Sequence, residues 1–188
     1  IIPGLEVSSA EGHVLALWVT RPIVKGMSLK ETVAAIHKQG GMAILAHPFE
    51  MVVAPDACLR YLRNPEIVRE AGIDAIEVHN AGALTPGNNI LARRLAAKLK
   101  LPIVGNSDGH SLAAIGCGMT HFAGRGAQDF RSAVLRRATL VTGRHWPLAD
   151  YVALFPNLIR DKFNSLATAA GRLLPEAHPS HRTLDTSK

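Results

Sequence analysis

Little in this sequence is suited to cross-linking, stacking or spanning a bilayer. Cysteine occurs only twice in 188 residues, as Cys58 and Cys117. Two distant thiols argue against a disulfide framework and against a thiolate zinc site. Aromatic side chains make up 5% of the residues, and no dense basic block is interleaved with them, so the usual surface for stacking nucleic-acid bases is missing. Long apolar runs are missing as well. None approaches the roughly 18 residues a membrane span needs, and no basic leader precedes an apolar core. These absences point to a cytoplasmic globular protein with no membrane partner. An initiating methionine is also absent: the chain opens Ile1-Ile2-Pro3-Gly4 and runs straight into strand-like sequence. We therefore expect residue 1 to be a cut end inside a larger domain.

What is present suits a single core. Apolar residues make up 47% and charged residues 19%, the balance of a folded soluble domain. The net charge of +6 comes from 21 basic and 15 acidic residues. The arginines are scattered over helix-like segments, so an anionic small substrate suits the surplus about as well as nucleic acid does.

Periodicity predicts an alternation of strands and helices. Residues 5–8 and 13–20 read as short strands around the polar turn Ser9-Ala10-Glu11-Gly12. Ser28 and Glu31 form a capping box that opens a helix, and Gly40-Gly41 closes it. Met42–Ala46 is an apolar run of the length of a buried parallel strand. A helix over 56–71, a strand over 75–78, a helix over 86–100 and a strand over 102–105 follow. Beyond a glycine-rich loop come a strand over 119–123, a helix over 127–137 and a short strand over 139–141. Such an alternation predicts an α/β fold with βα units around a parallel sheet or barrel. Residues 1–150 are expected to form the domain, and 151–188 a helical extension with a loose polar tail.

Chemistry-bearing residues gather where these strands end. Glu6 and Ser8 follow the first strand; His47 stands in "LAHP"; Glu77, His79 and Asn80 stand in "IEVHN"; Asn106, Asp108 and His110 stand in "GNSDGH". Parallel strands hand over to loops on one face, which would bring these groups together. Carboxylates and imidazoles without thiolates suit Zn²⁺, Mn²⁺ or Fe²⁺, and a bound ion of that kind makes hydroxide available near neutral pH. Singly, each motif has a plainer reading. His-Pro after a strand is often a turn, Asp-Gly-His is a turn sequence, and alternating Glu77 and His79 can pair with a helix and with solvent. His13, at the mouth of the apolar run Val14–Val19, can be a core histidine.

In order along the chain, "PGLEVS", "GHVLAL", "AILAHP", "DAIEVHN" and "GNSDGH" resemble the PHP family, named for polymerase and histidinol phosphatase. The likeness covers residues 1 to about 142. It implies a distorted (β/α)7 barrel, incomplete here on its N-terminal side, with two or three divalent metal ions (zinc, manganese or iron) at the strand ends. It further implies hydrolysis of phosphoester bonds in a small phosphorylated substrate by a metal-activated water. Matched by motif, Glu6 corresponds to a bridging carboxylate and His13 and His47 to ligands of the ion that Glu6 shares. Asp108 and His110 correspond to ligands of the flanking ions, so Glu6, Asp108 and His110 are the expected catalytic residues. Glu77, His79 and Asn80 fall at positions behind the ligands or beside the substrate. The family opens with a strand carrying His-x-His, followed by an Asp and another His, and no such segment precedes "PGLEVS". Two other readings stay open: a module of a DNA polymerase or nuclease, and a non-catalytic domain stabilised by one metal.

Overall fold

The computed structural model describes residues 1–153, of which Ile1–Asp150 form one unit; the extension and tail expected over 151–188 lie almost wholly outside the described residues. The chain starts with a hairpin. Strands β1 (Gly4–Ser9) and β2 (Gly12–Leu17) pair antiparallel, with Ser9 opposite Gly12. Only Ala10 and Glu11 separate the strands, and Gly12 takes a φ of +113°, which a side-chain-bearing residue rarely adopts. The Ser9 hydroxyl closes the turn by donating to the Gly12 carbonyl at 2.6 Å.

Helix α1 (Leu29–Lys38) begins at the expected capping box, in which Ser28 Oγ accepts from the Glu31 N–H while the Glu31 carboxylate accepts from the Ser28 N–H. Its end is set by Gly40 and Gly41. A Cβ on Gly41 would stand 2.7–2.8 Å from Val19, Ile36 and the Leu17 carbonyl, so the helix can turn into β3 (Met42–Leu45) only through a residue without one.

The helix expected over 56–71 is two helices, α2 (Pro55–Arg63) and α3 (Glu66–Glu70). Pro65 lies between them, and a proline offers no N–H to continue the ladder and pushes the residue before it out of helical geometry. Strand β4 (Ala75–Asn80), helix α4 (Asn88–Leu99) and strand β5 (Ile103–Asn106) complete a five-stranded sheet of order β1-β2-β3-β4-β5.

This sheet is mixed rather than all parallel. β3, β4 and β5 run parallel, whereas β2 is antiparallel to both of its neighbours. A two-residue loop permits no other pairing, since a parallel return needs a crossover of a dozen residues or more. The last strands, β6 (Gly118–His121) and β7 (Leu140–Gly143), form a separate antiparallel pair around helix α5 (Ala127–Leu135). Among the described residues the strands do not close into a barrel.

Strand alternation sorts the side chains onto two faces. Val7, Val14, Ala16, Ala43, Leu45, Ile76 and Val78 pack against α1 to α4 in the main core. Met42, Ile44, Ala75 and Val104 look the other way, toward Val134 and Phe130 of α5. This second layer is thin. Leu15, Leu17, Ile44 and Val104 border a cavity of about 570 Å³ that Glu6, Asp108 and His110 also line. No helix among the described residues is long and apolar enough to cross a membrane.

Candidate metal centre

Antiparallel β2 is what brings His13 to the rim. Ser8 at the end of β1 stands opposite His13 at the start of β2, and Val14 stands opposite Leu45 at the end of β3. The carboxyl ends of β1 and β3 and the amino end of β2 therefore coincide. His13 alternates with the fully buried Val14, so its backbone belongs to the sheet while its ring faces the cavity side.

The result is a three-residue cluster. Glu6 Oε1 accepts from His13 Nδ1 at 2.7 Å and from His47 Nε2 at 3.1 Å. The two imidazoles meet edge to face with centroids 5.2 Å apart. One ligand atom from each of Glu6, His13 and His47 lies within 4.8 Å of the others, the one such group of three among the described residues. A carboxylate oxygen and two imidazole nitrogens suit Zn²⁺, Mn²⁺ or Fe²⁺. Two ligand atoms on one tetrahedral zinc stand about 3.4 Å apart, so the residues fit an ion after shifts of an ångström or so.

Charge follows the geometry. The hydrogen bonds from His13 and His47 hold the Glu6 carboxyl far below the usual carboxylate range, outweighing the opposing effect of burial. Burial works to lower the His47 pKa, but the hydrogen bond to Glu6 and the charges of Glu77, Asp108 and Glu6 outweigh it and raise the group to about 9. Behind His47, the carboxyl of Glu77 is driven up to about 8, chiefly by burial and partly offset by His47.

Asp108 and His110 lie on the same cavity but outside the three-residue cluster. Asp108 reaches the neighbourhood of His47 through Asn80, whose Nδ2 donates to Asp108 Oδ2 at 2.9 Å and to Glu77 Oε2 at 3.5 Å. His110 is exposed, and its Nδ1–H donates to the Asp108 carbonyl at 2.8 Å. That bond fixes the tautomer and leaves Nε2 as the nitrogen with an open lone pair. His47 and Asp108 both have positive φ, +24° and +45°, a backbone state that costs a non-glycine residue about 1–3 kcal/mol and collects at functional sites.

The members of "IEVHN" part company. A bulge between Glu77 and His79 shifts the β4–β5 register. Glu77 and Asn80 serve the cluster, whereas His79 faces β7, its Nε2 buried without a partner and its ring 6.4 Å from that of His145. The plain reading gave one of Glu77 and His79 to a helix and the other to solvent; instead Glu77 lies beside His47 and His79 against β7, with the bulge between them. Sequence reasoning missed Trp146. Its indole N–H donates to the Ser107 carbonyl at 2.6 Å, its ring lies tilted against that of His110 with centroids 5.5 Å apart, and it fills the space that a Cβ on Gly82 would take. No motif surrounds it, so no local signal marked it.

Fold and cluster together define a mixed α/β protein with a metal-ready group on one rim of its sheet. Comparison with known proteins places it further. The profile of the family described as PHP-associated matches residues 86–139. An uncharacterised protein of Methanocaldococcus jannaschii is 30% identical over 81 residues, which make up 43% of this chain and 43% of that protein. The chain thus spans less than half the length of that relative. A two-domain protein of Bacteroides vulgatus, described as containing a predicted PHP-like metal-dependent phosphoesterase, shares the fold with a TM-score of 0.60 at 24% identity. That match covers 76% of this chain and 44% of the other. A lesion-specific endonuclease from Pyrococcus furiosus aligns with a TM-score of 0.52 at 18% identity, over 79% of this chain and 47% of its own. The PHP-associated profile over residues 86–139 and the fold shared with a PHP-like protein support the resemblance to the PHP family read from the sequence motifs.

Proposed function

We propose that this chain is part of a metal-dependent phosphoesterase of the PHP type that hydrolyses a small phosphorylated substrate. The observation that carries the reading is the meeting of Glu6 on β1, His13 on β2 and His47 in the loop after β3, with one ligand atom of each within 4.8 Å of the others. In this reading Glu6, His13 and His47 hold one divalent ion, and Asp108 and His110 contribute to its neighbours. A bound divalent ion supplies Lewis acidity and brings the pKa of water toward neutrality.

The chain's own residues supply the rest. Glu6 fixes both imidazoles with one oxygen. Asp108 adds negative charge across the cavity, which favours binding of cations, and a phosphate is then attracted by the ions so held. His110, with Nδ1 committed to a carbonyl, presents Nε2 as the nitrogen that would hold a neighbouring ion. The polar rim of the cavity, Asn106, Ser107 and Thr120, can accept and donate hydrogen bonds to a phosphorylated molecule, and Leu15, Leu17 and Phe130 suit its carbon skeleton. The distorted (β/α)7 barrel belongs to this reading, with β1–β5 as one wall. The test is hydrolysis of an aryl phosphate by the natural full-length protein with Zn²⁺, Mn²⁺ or Fe²⁺. Turnover that disappears with a chelator and in Asp108→Ala and His47→Ala is expected, and metal-independent or absent turnover would overturn the proposal.

A second reading, a nucleic-acid enzyme's module, is favoured by the structural likeness to an endonuclease and by the net charge of +6. Salt-sensitive binding of single-stranded DNA together with metal-dependent cleavage of it would select this reading.

A further inference from the structure

The buried pair behind the cluster has no part in the chemistry above. Glu77 is 1% exposed and Asn80 is 1% exposed, and an ionisable side chain so placed needs compensation. Glu77 receives it from the site. Its Oε2 accepts the backbone N–H of His47 at 2.6 Å and the Asn80 amide at 3.5 Å, while Oε1 has no partner. Asn80 is fully engaged: its Nδ2 donates to Asp108 at 2.9 Å, its Oδ1 accepts from the Gly82 N–H at 2.8 Å, and its own N–H donates to Asn89. The two residues that this pair grips, His47 and Asp108, are the candidate ligands with left-handed backbone conformation. They come from different loops, after β3 and after β5, and β4 lies between those strands in the sheet.

We propose that Glu77 and Asn80 are positioning residues, a clamp on β4 that holds the His47 backbone and the Asp108 carboxylate in register across the metal centre. The ligand part of this inference rests on the metal-dependent reading above. The hydrogen bond from His47 to Glu77 comes from the peptide N–H and not from the ring, so it takes up no imidazole nitrogen that an ion would need. Asn80 brings no charge of its own and holds Asp108 by a single amide hydrogen bond at 2.9 Å. The bulge that follows Glu77 turns β4 so that Asn80, three residues on, reaches the same spot.

Hydrogen exchange at the His47 amide and the visible spectrum of added Co²⁺ test the clamp on the 188-residue chain. Glu77→Ala should speed exchange of that amide at least tenfold and alter the Co²⁺ spectrum. Glu77→Gln, which still offers an oxygen to the N–H, should restore both to nearly the wild-type state. Asn80→Ala should leave the His47 amide slow yet weaken Co²⁺ binding about twofold to threefold through Asp108, no more than loss of the Asp108 charge does. Should Glu77→Ala fail to fold, Glu77→Met fills the same volume without accepting the bond and takes its place. Unchanged exchange in the Ala or Met variant, or failure of Glu77→Gln to rescue, overturns the proposal. A wild-type chain that binds no Co²⁺ would sink the metal-dependent reading instead, and the exchange result would still decide whether Glu77 clamps His47.

Discussion

Glu6→Gln is the sharpest probe of the centre, because it removes a charge while keeping the shape of the side chain. Glu6 Oε1 is the hub of the cluster, 2.7 Å from His13 and 3.1 Å from His47. Structural zinc sites with four ligands bind with about 10–16 kcal/mol, or about 2.5–4 kcal/mol for each ligand. Three ligands then hold roughly 8–12 kcal/mol, which corresponds to micromolar affinity or tighter. An amide oxygen is a poor substitute for a carboxylate, so most of one ligand's share is lost, and zinc affinity should fall about 100-fold to 1,000-fold. Competition against a chromophoric chelator at fixed pH measures this directly. Asp108→Asn is the internal control: Asp108 lies outside the group of three, so affinity for the tightest ion should fall less than tenfold. Wild-type affinity in Glu6→Gln would refute the reasoning, as would a wild-type chain that binds zinc no tighter than about 0.1 mM.

Other outcomes follow from the same structure. Without metal, stability should be greatest on the acid side of neutrality. His47 is raised to about 9 and Glu77 to about 8; for both, the stabilising contribution is complete below the unfolded pKa and is lost as pH rises through the folded value. Glu6 is lowered, and its contribution is lost only as pH falls below the usual carboxylate range. Melting temperature in excess chelator should therefore decline from about pH 6 to pH 9, and His47→Gln should flatten the alkaline part of that decline. Gly118→Ala would set a methyl group on the Asn106 carbonyl and should destabilise the fold by about 1–3 kcal/mol, read from denaturant unfolding. Trp146→Phe keeps the ring but loses the bond to the Ser107 carbonyl. It should cost about 1 kcal/mol and loosen the Asp108 loop, with faster amide exchange over 107–110 and no change at His13.

Local signals in the sequence were enough for most elements. The capping box at Ser28, the apolar run of β3 and the glycines after α1 each act within a few residues, and each lies where periodicity and capping place it. The break at Pro65 was legible too, yet the continuous apolar pattern on either side hid it. Strand direction was not local. β2 reads like any other strand, and only the two-residue loop before it dictates that it runs backward. His13 still joins the cluster because that reversal brings its amino end, rather than its carboxyl end, to the rim. The grip of Glu77 and Asn80 on two distant loops, and the indole of Trp146 beneath one of them, depend on a bulge and on long-range packing that no short window contains.

The position of β1 gives the cluster a mechanical side. Among the described residues this strand pairs on one side only, with β2, and it carries Glu6, while His47 follows the interior strand β3. An ion shared by Glu6, His13 and His47 would rivet the outermost ribbon to the middle of the sheet. Chelation would then do more than silence chemistry: it would unfasten the hairpin, and fraying of residues 4–17 would be its first physical symptom.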